Sequence, residues 1–83
     1  MRVVLTENAE RQLDALPIVI RARVRKLLQR VTRWPFVSGA KPLKGDLAGQ
    51  YRLRTGNYRV QVRIIEDVVL VHKIGHRDGF YDG

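Results

Sequence analysis

Eighty-three residues, 45% of them apolar, make one small domain (1–83) with enough core-forming side chains for a globular fold and no room for a second core. The absence of cysteine excludes disulfide staples, zinc–thiolate sites and thiol nucleophiles, a usage that suits the cytoplasm. Sixteen basic against eight acidic side chains give a net charge of +8, and between Arg21 and Arg63 twelve basic residues meet one acid, Asp46. Such a block points to a polyanion, most often nucleic acid.

The chain opens on "RVVLT", a short β-branched strand expected at a sheet edge. Thr6 then caps a first helix, with Glu7 and Glu10 in the turn where negative charge is favoured and Ala9, Leu13 and Leu16 as its apolar stripe. Pro17 opens a second helix, in which Ile20, Val24, Leu27, Val31 and Trp34 recur at helical spacing before Pro35 ends it. That stripe is needed for the core, which argues against a basic helix lying on a membrane. Residues 36–49, "FVSGAKPLKGDLAG", read as a loop packed by Phe36, Val37 and Leu43.

"YRLRTGNYRVQVR", residues 51–63, reads as a hairpin turning at Gly56-Asn57. That register sets Thr55 against Tyr58, Arg54 against Arg59 and Arg52 against Gln61. Tyr51, Leu53, Tyr58, Val60, Val62 and Ile64 fall on the other face. Glu66-Asp67 is a second turn, and "VVLVHKIGHR" a further strand before the tail "DGFYDG". The order β-α-α-β-β-β, with like elements segregated, is an α+β pattern: two N-terminal helices packed on one face of a small, mainly antiparallel sheet. The longest apolar runs are too short to span a bilayer, and "MRVVLTENAE" turns polar too early for a signal peptide.

The arginine face is expected to stay open. Like charges directly opposed on a sheet are destabilising, so Arg54 facing Arg59 beside Arg52 suggests a phosphate that holds the cluster together; guanidinium groups match phosphate with a planar fork. Lys41, Lys44, Arg63 and Lys73, with Arg25 and Arg30 on the second helix, would extend the nucleic-acid contact. In strict alternation from Lys73, Gly75 and Arg77 share a face, while Leu70, His72, Ile74 and His76 share the other. Gly75 then allows a close approach. His72 reads as a satisfied core histidine, and His76 as a packing residue of the helix-covered face. Tyr81 either stacks on a base or pins the tail. There is no phosphate-cradling glycine loop, and two histidines with scattered acids give no metal set.

"KPLKGDLAGQYRLRTGNYRVQVRI", a short acidic turn and "VLVHKIGHRDGFY", in the order β-α-α-β-β-β, resemble the RelE/ParE toxin superfamily of bacterial toxin–antitoxin modules. The most specific parts are Pro42-Leu43-Lys44-Gly45, the arginine-rich core at 51–59, and Gly75-His76-Arg77 with Tyr81 four residues on. The resemblance implies a toxin that cuts mRNA in the ribosomal A site, the 2′-hydroxyl attacking its neighbouring phosphate, without a cofactor or metal. By the same resemblance Arg52 and Arg54 bind phosphate, Arg59 stabilises transition-state charge, Arg77 lies near the leaving oxygen and Tyr81 orients the base. Arginine at 54, where relatives often have lysine, removes the obvious general base. The implied partners are a cognate acidic antitoxin, the ribosome and mRNA, with operator DNA bound only through the antitoxin complex, no membrane, and a cytoplasmic location. Two alternatives stand beside this: a ParE-like, non-enzymatic inhibitor of DNA gyrase, and a nucleic-acid-binding module acting with its antitoxin.

Overall fold

A computed structural model describes residues 1–80 as β1 (Arg2–Leu5), α1 (Glu7–Asp14), α2 (Ile18–Val31), β2 (Lys41–Pro42), β3 (Gln50–Thr55), β4 (Tyr58–Ile65) and β5 (Val68–His76). The five strands form one sheet in the order β1-β5-β4-β3-β2, with β1 parallel to β5 and every other pair antiparallel. The first strand thus takes an edge, reached through the two helices, as a parallel crossover requires. The other edge strand, β2, is two residues inside the stretch that reads as loop, and a single 3-10 turn follows at Gly45–Leu47.

Thr6 caps α1 as its sequence predicts: its hydroxyl accepts from the Ala9 N–H at 3.1 Å. Pro17 stands one position earlier than expected, at the cap of α2, where its carbonyl accepts from Arg21 N–H at 2.8 Å. The second helix ends at Val31, four residues short of Pro35. Trp34 therefore leaves the helical stripe and instead meets Tyr51 edge-on, ring centroids 4.6 Å apart. Phe36 is 88% exposed, while Val37 and Ala40 of the same loop pack against the core.

Val24, Leu27, Leu28 and Val31 of α2 and Ala9 and Leu13 of α1 bury against Leu53, Val60, Val62, Val69, Val71 and Ile74. This one-sided core is the reason the opposite face of β3 and β4 can be polar. Val69, Val71 and Ile74 share that core because β5 carries one extra residue: Gln61 pairs with Lys73 but Val62 with Val71, so His72 is a bulge. The bulge overturns the strict alternation that would group Leu70 and His72 with Ile74. Leu70 pairs with Arg63 on the sheet's other side. No helix among the described residues is long and apolar enough to cross a membrane.

Candidate nucleic-acid interface

The β3–β4 hairpin has the register its sequence predicts, Thr55 against Tyr58, Arg54 against Arg59, Arg52 against Gln61. Gly56 takes the positive φ, +57°, and Asn57 does not, the pattern of a type II′ turn. That turn matches the twist of the strands, so it fixes which side chains share a face. Across the sheet, Lys41, Arg52, Gln61 and Lys73 line up as one row on four strands. Arg54, Arg59 and Gly75 form the next row.

Between the two rows and the end of the preceding loop lies a pocket of about 250 Å³, lined by Gly39, Lys41, Arg52, Leu53, Arg54 and Arg59. Four cations line it, and no carboxylate or imidazole among the described residues does. Their mutual repulsion is relieved locally. Arg59 folds back, its Nη1 donating to the carbonyls of Gly56 at 3.0 Å and Tyr58 at 3.3 Å. Arg52 donates to Gln61 Oε1 at 3.2 Å, and Gln61 Nε2 in turn donates to Gln50 Oε1 at 2.9 Å. Both glutamines are buried, so the polar row is anchored in the sheet rather than left to solvent. Arg54 is exposed, and its side chain makes no hydrogen bond or ion pair with a described residue. Guanidinium groups held this way fit the charge and fork geometry of a phosphodiester.

The arginine face is not wholly open. Phe80, 3% exposed, lies over Gly75, with its Cδ1 3.4 Å from where a Cβ at that position would stand. The close approach that Gly75 permits is therefore that of this ring. Lys73 donates to the Phe80 carbonyl and sits 4.5 Å from the ring centroid, and the Arg52 guanidinium lies 5.7 Å from the same centroid. Sequence reasoning missed Phe80, Gln50 and Gly39, and placed Gln61 opposite Arg52 without giving it a role; a glycine inside a strand and an aromatic just after Gly79, whose φ is +85°, were the signals for the first.

Arg77 follows β5, its N–H bound to the Asn57 carbonyl at 2.7 Å, at the same end of the sheet as Arg54 and Arg59. Its Nε lies 3.7 Å from Asp78. Tyr81 lies outside the described residues. Arg63 pairs with Gln50 and Leu70, beyond the Arg52 row and away from the pocket. Lys44 is exposed at the start of the 3-10 turn. Arg25 and Arg30 belong to α2 on the covered side, and Arg30 reaches the loop before β2, donating to the Ser38 carbonyl at 3.3 Å beside Gly39 of the pocket lining.

The histidines divide. His76 meets Tyr58 edge-on at 5.1 Å and its Nδ1 accepts from the Asp78 N–H at 3.0 Å, the expected packing position. His72 is no satisfied core histidine. Its buried Nε2 has no partner among the described residues, and burial, then the charges of Arg63 and Lys73, push its pKa below the usual imidazole value.

Sequence and structure comparisons bear on the family and the fold. The family model for the ParE toxin of the type II toxin–antitoxin system parDE matches residues 3–79. The chain belongs to the RelE/ParE superfamily of type II toxins. Toxin RelG of Mycobacterium tuberculosis is 34% identical over 92% of this chain and 90% of that one. Toxin RelE3 of Methanocaldococcus jannaschii is 26% identical over 99% and 97% of the two chains. Among solved structures, the toxin–antitoxin complex RelBE2 of M. tuberculosis superposes with a TM-score of 0.80, at 34% identity, over 92% of this toxin and 96% of that chain. The superposition extends the shared fold to both helices and the sheet, the framework that sets the toxin's four cations around one pocket.

Proposed function

We propose that this toxin is a ribosome-dependent endoribonuclease that cuts mRNA, with the arginine face as its active site. The observation that carries the reading is Arg54 set directly across from Arg59 at a pocket that four cations line. In the step proposed, the 2′-hydroxyl gives its proton to water as its oxygen forms a bond to the adjacent phosphorus, the bond to the 5′-oxygen breaks, and that oxygen takes a proton from water as it leaves. Arg52 and Arg54 hold the phosphate, Arg59 offsets the extra negative charge of the five-coordinate transition state, and Arg77, at the same end, serves the leaving oxygen. Tyr81 orients the base. Lys41 adds to the phosphate contact, while Lys44, Arg63, Arg25 and Arg30 reach RNA farther from the cut.

The partner expected to silence the toxin is a cognate acidic antitoxin, which reaches operator DNA as part of the complex; the RelBE2 relative was itself solved as a toxin–antitoxin complex. A net charge of +8 with an exposed cationic face suits an acidic, partly disordered segment that folds on binding.

A second reading has its own support. Among the described residues no carboxylate or imidazole lines the pocket, three of its four cations are arginines, and the matching family model is that of ParE toxins. A non-enzymatic inhibitor of DNA gyrase needs no base. Primer extension on mRNA in a translating extract separates the two. Defined cuts within codons support cleavage; intact message with inhibited supercoiling overturns it in favour of gyrase.

A further inference from the structure

Phe80 is the most buried aromatic ring among the described residues, yet it stands outside the core between the helices and the sheet, on the cationic face. Contacts with described residues fix it there. Its ring fills the gap left by Gly75, its carbonyl accepts from Lys73, and its N–H donates to the Arg77 carbonyl at 3.3 Å, closing the turn after β5. Lys73 and Arg52 flank the ring at 4.5 and 5.7 Å from its centroid, inside the range in which an aromatic quadrupole attracts a cation. They stand on either side of Gln61 in the row that ends at Lys41. Two cations so placed would otherwise repel each other and sample many rotamers.

We propose that Phe80 is a positioning residue whose ring, seated over Gly75 between Lys73 and Arg52, holds the Arg52 guanidinium in place at the pocket. For catalysis the proposal rests on the RNA-cleaving reading; the geometric part does not. Phe80 is absent from the pocket lining, whereas Arg52 is part of it, so the ring supports the site from beside it and does not plug it. Gln61 gives Arg52 its direction through a hydrogen bond, and the ring adds a face-on restraint. A cation fixed before substrate arrives stabilises transition-state charge without first paying for its own ordering.

The test separates ring electronics from ring shape. Phe80 is replaced in the full chain by pentafluorophenylalanine through amber suppression, which nearly keeps the shape and reverses the quadrupole, and, separately, by Phe80→Leu. Two quantities are read: the NMR order parameter of the Arg52 Nε–H in the free toxin, and the single-turnover cleavage rate at saturating ribosomes. Both replacements should lower the order parameter from roughly 0.85 towards 0.6. They should slow cleavage about ten- to a hundredfold, with the half-saturating ribosome concentration little changed. Gly75→Val, strand-compatible but too large for the ring above it, should reproduce the loss of Arg52 order without touching Phe80, whereas Gly75→Ala, in ordinary contact distance, should not. An unchanged order parameter in the pentafluorophenylalanine protein overturns the proposal, as does faster cleavage, which would make Phe80 a plug. If the parent toxin cuts no message, the functional reading fails, and the Arg52 order parameters still decide the positioning.

Discussion

Arg59 shows how a side chain can serve a site with little effect on the fold. Its guanidinium closes the hairpin turn through two carbonyls, but the turn is already set by Gly56. Arg59→Ala should therefore abolish mRNA cleavage and growth arrest while lowering stability by no more than about 0.5 kcal/mol, a Tm shift within roughly 4 °C. Arg54 lends itself to a sharper test, because it is exposed and its chemistry differs from lysine in one decisive respect. Arg54→Lys should cleave at least as fast, with a rate that rises towards alkaline pH. A lysine beside Arg52, Arg59 and Lys41 has its ammonium form disfavoured by like charge and can surrender a proton, which arginine cannot. A tenfold or greater slowing from neutral to alkaline pH in single-turnover assays would instead assign Arg54 a bidentate role. His72 links folding to pH. Its folded pKa lies below the ordinary imidazole value, so the unfolded chain takes up the proton first and stability is lost as pH falls through that ordinary value. His72→Gln should flatten the fall in Tm between about pH 7.5 and 5.5, a change that thermal melts at the two pH values will show.

At the level of elements, the β3–β4 hairpin sets the geometry on which the site depends. Gly56 at φ +57° is the one position in that hairpin where a side chain meets backbone strain. Gly56→Ala should cost about 1–2 kcal/mol, a Tm drop of roughly 5–10 °C, and also slow cleavage by loosening the opposition of Arg54 and Arg59. A variant as stable as the parent would show that the turn relaxes to another type. The bulge in β5 matters in a different way. One extra residue turns Val69 and Val71 into the core beside Ile74 and leaves Leu70, Lys73 and Gly75 on the far side. Without it, either the valines or Ile74 would face the cations.

Over the whole molecule, charge is divided between two sides. The pocket cations sit on the bare face of the sheet, and Arg25 and Arg30 belong to α2 on the covered side. Arg25→Ala should weaken ribosome association and reduce the salt dependence of binding, lowering the slope of log affinity against log salt by ~0.7–0.9, while sparing the rate at saturating ribosomes. Equal loss of saturated cleavage in the Arg25 and Arg59 variants would remove the distinction between the two sides.

The sequence by itself determined the element order, the hairpin register and the row of arginines, because turn chemistry at Gly56-Asn57 and a period of two are local and leave few alternatives. It determined as well the cap at Thr6 and the apolar stripe of α2 as far as Val31. Only the tertiary structure decided what depends on residues distant in the chain. The parallel pairing of β1 with β5, the brief β2 that brings Lys41 level with Arg52, and the bulge at His72 arise from packing a sheet over two helices. So does the burial of Gln50 and Gln61 behind the pocket. The return of Phe80 onto Gly75 needs a strand and a tail to meet in space, and no periodicity along the chain records where a tail will land.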